Sequence, residues 1–257
     1  MTRILLGGMA FLLGLVAIGR LRREDSTPAT VVTGSLLRPS SRGGSIPSPL
    51  PAPAPVVSGT PTIDLLARLE SKRRVAQAAS STYFDSLLAD TDSVLRRWSE
   101  ERPLLVAIRH DAGRPDTEMG DLVRRALGVW EETRLGVRFL MTSDTSEAQL
   151  TVQSIERLEG GRAGQTNLRW SEAGVIRAAT ILLARNDSSG RPIPAAASLA
   201  IAVHEFGHAL GLPHSANRSD VMFPVSGNGR LSPRDRATVE LLYQLPLGTL
   251  REPAKPD

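Results

Sequence analysis

The chain contains no cysteine in 257 residues, only 4% aromatics and just four histidines. Without cysteine a disulfide-stapled fold is excluded, although 41% hydrophobic content still supports one core of about 150 residues. Lysine is nearly missing as well, since 29 of the 31 basic residues are arginine. Those arginines are spread without a basic stripe or interleaved aromatics, so the sequence pI of 10.2 does not mark a nucleic-acid binder. The sequence carries no internal repeat, and its one long apolar run, Ile4 to Gly19, is short for a membrane-spanning helix.

What is present is concentrated. Three of the four histidines fall within His204-Glu205-Phe206-Gly207-His208-Ala209-Leu210-Gly211-Leu212-Pro213-His214. On a helix, positions four apart share a face, so His204 and His208 can present their imidazoles to one point, with Glu205 one residue round. Gly211 is where that helix is expected to stop, because glycine tolerates the left-handed turn a helix end needs. A chain that turns there brings His214 in as a third ligand and leaves a fourth tetrahedral position for water, the arrangement of a catalytic zinc. Zinc so held lowers the pKa of its water and polarises a carbonyl, and Glu205 is placed to act as general base.

Eight residues after His214 comes Met222, in the triplet Met222-Phe223-Pro224. The long histidine motif followed by such a methionine turn resembles the metzincin metalloproteases. Within them, H-E-F-G-H-A-L-G-L-P-H-S and Met222-Phe223-Pro224 are most similar to the matrixins, the matrix metalloprotease catalytic domains of the M10 type. Astacin-like and serralysin-like members usually carry a tyrosine where Pro224 stands. The resemblance extends to a last helix capped by Ser232, with Pro233 at its first position, Asp235 reaching back and Leu242-Tyr243 near its end. It covers about Trp98 to Leu245.

The resemblance implies an α+β fold of metzincin or zincin type: a twisted, mostly parallel five-stranded sheet with an antiparallel edge strand, an active-site helix and a C-terminal helix. The residues agree with it. Leu104 to Ile108, Val137 to Met141, Ala148 to Val152, Gln165 to Trp170 and Val175 to Ala184 read as strands, and Met119 to Leu135 has helical apolar spacing. The active helix is expected from about Pro194 to Leu210. Ala163 to Arg169 is the candidate edge, at which an extended peptide substrate can add itself by main-chain hydrogen bonds; a plain hairpin strand is the equal alternative at this level.

The resemblance also assigns roles: His204, His208 and His214 as metal ligands, Glu205 as the catalytic base, Met222 as the packing residue beneath the ligands, and Phe223 and Pro224 as a wall of the substrate pocket. Departures narrow it. Residues 111 to 203 contain no histidine, which removes the family's second, structural zinc, and zero cysteines removes thiol-based latency. One catalytic zinc is therefore expected. Acidic residues are sparse between Gly160 and Arg191, and calcium stays open. His110, the remaining histidine, is read as an ordinary strand-end residue.

The front of the chain is organised differently. Residues 1–25 are expected to be a signal peptide or a membrane anchor: Ala17-Ile18-Gly19 suits cleavage, Arg20, Arg22 and Arg23 weaken it and pull the following chain toward the cytoplasm, and export, cleaved or anchored, is favoured over that cytoplasmic orientation. Six arginines against Glu24 and Asp25 in residues 1–62 account for the whole formal excess of +4, which suits contact with a membrane surface. Residues 26–61 read as a proline- and serine-rich linker. Residues 62–97 read as a helical extension or a short propeptide, 98–250 as the matrixin-like catalytic domain and 251–257 as a tail. The function expected is an exported, secreted or membrane-anchored, monomeric zinc endopeptidase acting on a protein or peptide substrate. The alternative is a catalytically silent metzincin-like binding module displayed at the membrane.

Overall fold

The structure, a computed structural model, describes residues 22–23, 64–99, 102–109, 117–133, 135–225 and 227–251. The apolar run Ile4 to Gly19, the linker 26–61, His110 and the tail after Arg251 lie outside the described residues. No helix among the described residues is long and apolar enough to cross a membrane.

Elements follow in the order β1 (Arg22–Arg23), α1 (Leu65–Ala78), α2 (Phe84–Asp90), β2 (Val94–Leu95), β3 (Leu104–Arg109), α3 (Thr117–Glu131), β4 (Phe139–Thr142), β5 (Leu150–Ile155), β6 (Gly164–Trp170), β7 (Ile176–Ala184), α4 (Ala195–Ala209), α5 (Pro233–Gln244) and β8 (Gly248–Thr249). The sheet runs β1-β6-β7-β5-β3-β4. β3 pairs in parallel with β4 and β5, and β5 with β7, whereas β6 returns antiparallel along β7. These are the five expected strands, with the antiparallel one at the expected edge. The two-residue β1 adds to that edge in parallel, but only opposite Arg169 and Trp170. Gly164 to Leu168 thus keep an open edge among the described residues.

α3 and α4 pack on each other, and α4 lies across β6 and β7. The pattern of α3 explains its side of that contact, because Met119, Val123, Ala126, Leu127 and Trp130 recur at helical spacing and all are buried. α4 lacks an amphipathic pattern. Every residue from Ala200 to Ala209 is buried, as a helix sandwiched between a sheet, α3 and the C-terminal part must be. Its last carbonyls are satisfied by side chains from distant segments: the Trp98 indole donates to Ala209 O at 2.8 Å and the Tyr243 hydroxyl to Leu210 O at 3.2 Å. β2 and β8 form a separate antiparallel pair.

Residues 64–97 do not stand apart from this core. They form two helices and a short strand, with Val75, Tyr83, Phe84, Leu87 and Leu95 inside the same apolar cluster as the sheet and α4. Leu65, Leu66 and Leu69 of α1 are exposed.

Candidate metal centre and active site

α4 ends where its sequence said it should. Gly211 takes φ +99, its N–H donates to His208 O at 2.9 Å, and the Leu212 N–H donates to Gly207 O at 3.0 Å, closing the helix and reversing the chain. A side chain at Gly211 would collide with the Arg96 carbonyl. The reversal brings His214 back over the last turn.

One ligand atom from each of His204, His208 and His214 lies within 4.8 Å of the others. His204 Nδ1 is 2.7 Å from Val221 O and His208 Nδ1 is 2.8 Å from Leu212 O. A carbonyl only accepts, so in both rings Nδ1 carries the hydrogen and Nε2 is a bare lone pair. His204 Nε2 is buried with no partner, and His208 Nε2 lies 3.2 Å from His214 Nε2. Two nitrogens sharing one zinc at about 2.0–2.1 Å in a tetrahedron stand at about that separation. An orphaned buried lone pair converging with two others fits a zinc ion, and the carbonyls that hold Nδ1 fix tautomer and ring orientation. Burial also keeps the rings neutral, pushing His204 down to about 4 and lowering His208 and His214.

Glu205 points from the same helix toward β6. Its Oε2 accepts from the Thr166 hydroxyl at 2.6 Å, whereas Oε1 is buried and unpartnered. Burial pushes this carboxyl up to about 8, with the Thr166 hydrogen bond and the Arg162 charge opposing. A dication held by the triad would oppose it further. Room for the carboxylate comes from Gly164, where any Cβ would overlap Glu205. Neither Gly164 nor Thr166 was singled out from the sequence as serving Glu205. Gly160, Gly161 and Gly164, close together at the entry to β6, are the local sequence signal there, and they name no partner.

Met222 is fully buried against α4, and a Cβ at Gly207 would overlap its sulfur. The invasion of helix space by the Met222 thioether therefore requires glycine between His204 and His208. Its carbonyl accepts from Ser215 N at 2.8 Å, tying the turn to the segment that carries His214. Phe223 and Pro224 follow, both half-buried, with the Arg218 guanidinium 5.5 Å from the Phe223 ring. Gly229, farther along the loop, is buried against Ala200.

A Matrixin family model of the M10 peptidases matches residues 97–244. Among curated proteins, a putative matrix metalloproteinase of Trichoplusia ni ascovirus 2c is 46% identical over 44 residues, 17% of this chain and 9% of its own length. Matrilysin of Felis catus is 46% identical over 50 residues, 18% of this chain and 19% of its own. Matrix metalloproteinase-27 of Homo sapiens is 43% identical over 58 residues, 22% of this chain and 11% of its own. The chain thus spans less than a fifth of the length of these relatives.

Proposed function

Because the chain belongs to the matrixin family, we propose that it is a zinc-dependent endopeptidase that hydrolyses peptide bonds in proteins outside the cytoplasm. The observation that carries this reading is the convergence of three histidine nitrogens with Glu205 beside them, its Oε1 buried and without a partner. Zinc bound by His204, His208 and His214 supplies Lewis-acid polarisation and acidifies water.

The chain's own groups supply the rest. Glu205 accepts a proton from the attacking water at Oε1 and returns it to the leaving amine, while the Thr166 hydroxyl restrains Oε2. The open edge from Gly164 to Leu168 runs beside Glu205 and offers main-chain pairing to an extended peptide, which aligns the scissile bond whatever its side chains. Phe223 and Pro224 wall the pocket for the residue after the cut bond. The apolar run Ile4 to Gly19 supports export, by cleavage or by anchoring. The protein acts as a monomer on a protein or peptide substrate.

Casein or gelatin cleavage and bound zinc, measured on the wild type and on Glu205→Gln, test the reading. The expected outcome is one zinc in each and a loss of about 10²–10⁴-fold in kcat for the variant, the usual contribution of a positioned general base. A wild type that holds stoichiometric zinc yet cleaves nothing, with its N-terminal segment trimmed, would instead identify a silent binding module.

A further inference from the structure

Residues 64–99 contribute more than packing. Tyr83, at the start of α2, is buried, and its hydroxyl donates to Asp235 Oδ1 at 3.0 Å while its N–H donates to Thr238 Oγ1 at 3.1 Å. Asp235, itself fully buried at the start of α5, accepts on Oδ2 from Val221 N and from Ser232 N, each at 2.8 Å. Val221 in turn presents its carbonyl to His204 Nδ1 at 2.7 Å. The carboxylate thus has three donors, and the third comes from the helical extension. A second buried carboxylate lies alongside: Asp220 accepts from Ser215 and Ser232 hydroxyls and from Arg234, whose guanidinium sits 6.0 Å over the Tyr83 ring.

We propose that Tyr83 is a positioning residue for the metal centre: through Asp235 and the Val221 peptide it fixes the orientation of His204, so that residues 64–99 are a built-in part of the catalytic domain and not a removable propeptide. The physical reason is the state of the Asp235 carboxylate. A fully buried carboxylate that loses a donor rotates or recruits another, and either response disturbs the Val221 peptide on which His204 leans. Outer partners of metal-bound histidines act on metal affinity in this way. The inference rests on the reading of His204 as a zinc ligand, but the link from Tyr83 to the Met222 turn exists in the metal-free protein too.

The test uses the full chain with Tyr83→Phe, which keeps the ring and removes the hydroxyl. Three readouts are compared with wild type: release of zinc to a chelator, kcat against KM, and hydrogen exchange of the Val221 amide in zinc-free protein. The expected result is zinc release faster by about tenfold, the lower end of the range for outer partners, a lower kcat with KM unchanged, and faster exchange at Val221. Val75→Ala, a destabilising change in α1 away from this chain of contacts, serves as the control and should leave zinc release unchanged at temperatures where it is folded.

Equal effects of Val75→Ala and Tyr83→Phe would show a general loss of stability and overturn the proposal. So would a folded Tyr83→Phe protein with wild-type zinc release and Val221 exchange. If Tyr83→Phe does not fold, Thr238→Val removes the other Tyr83 contact and must show the same direction of change, and wild-type behaviour there overturns the proposal equally. A wild type without zinc would defeat the endopeptidase reading, while the Val221 exchange would still decide the role of Tyr83.

Discussion

Glu205 is held by two residues about forty positions upstream. Thr166 donates to one carboxylate oxygen, and Gly164 leaves the space in which the group sits. This makes Gly164 a sharper probe of the site than a ligand substitution, because it alters geometry without touching the metal. In Gly164→Ala the added methyl overlaps the carboxylate, which must swing aside. The expected outcome is retention of zinc with a loss of roughly 10²-fold in kcat, the scale attached to a displacement of about 1 Å in a catalytic group. Steady-state kinetics on zinc-loaded variant protein check it, and an unchanged kcat would mean that Glu205 has other room to act. The same scale explains why Gly207 stands between His204 and His208: the Met222 sulfur fills the volume a side chain would need.

At the scale of elements, what the sequence revealed depended on how local the signal was. The start of α5 was legible because its capping box, Ser232 with Asp235, is closed within four residues, and both hydrogen bonds are present. The end of α4 was legible because Gly211 is a local demand on the backbone. Strand positions came from short apolar runs, whose limits shifted by one to three residues: Val137 to Met141 became Phe139–Thr142, and Ala148 to Val152 became Leu150–Ile155. The partners of Glu205 and the docking of Tyr83 on Asp235 were not legible, since they join residues some 40 and 152 positions apart. No periodicity encodes such a meeting.

The loop that feeds α4 has its own titratable clasp. Asp187 Oδ1 accepts from Ser189 N at 2.8 Å, the Ser189 hydroxyl at 2.6 Å and Arg191 N at 3.0 Å, and Oδ2 accepts from Arg191 Nε at 3.2 Å. The Ser189 hydroxyl and Arg191 amide hold its carboxyl down to about 2 from an ordinary 3.8. Since the folded value lies below the unfolded one, the clasp contributes its full stability above about pH 4 and loses it as pH falls through about 2. An NMR titration of the Asp187 carboxyl should show a midpoint near 2. A midpoint at the ordinary value would mean that the loop is not held in this way.

For the whole molecule, one centre draws on segments from most of the described chain. α4 and the returning segment supply the three histidines, β6 holds Glu205, α5 anchors the Met222 turn, and residues 64–99 reach both α5 and the end of α4. Zinc that binds this assembled site and not the unfolded chain must stabilise the whole fold, by about 2.7 kcal/mol at a free concentration one hundred times its Kd. His214, on the chain after α4, is the residue that distinguishes the three-histidine cluster from a helical histidine pair. A competitive zinc titration of wild type and His214→Ala is the most direct test of the three-histidine centre. One zinc per chain in the wild type, with affinity falling in the variant by more than the roughly 10- to 100-fold that loss of an outer partner costs, is the predicted result; unchanged affinity in His214→Ala would contradict it.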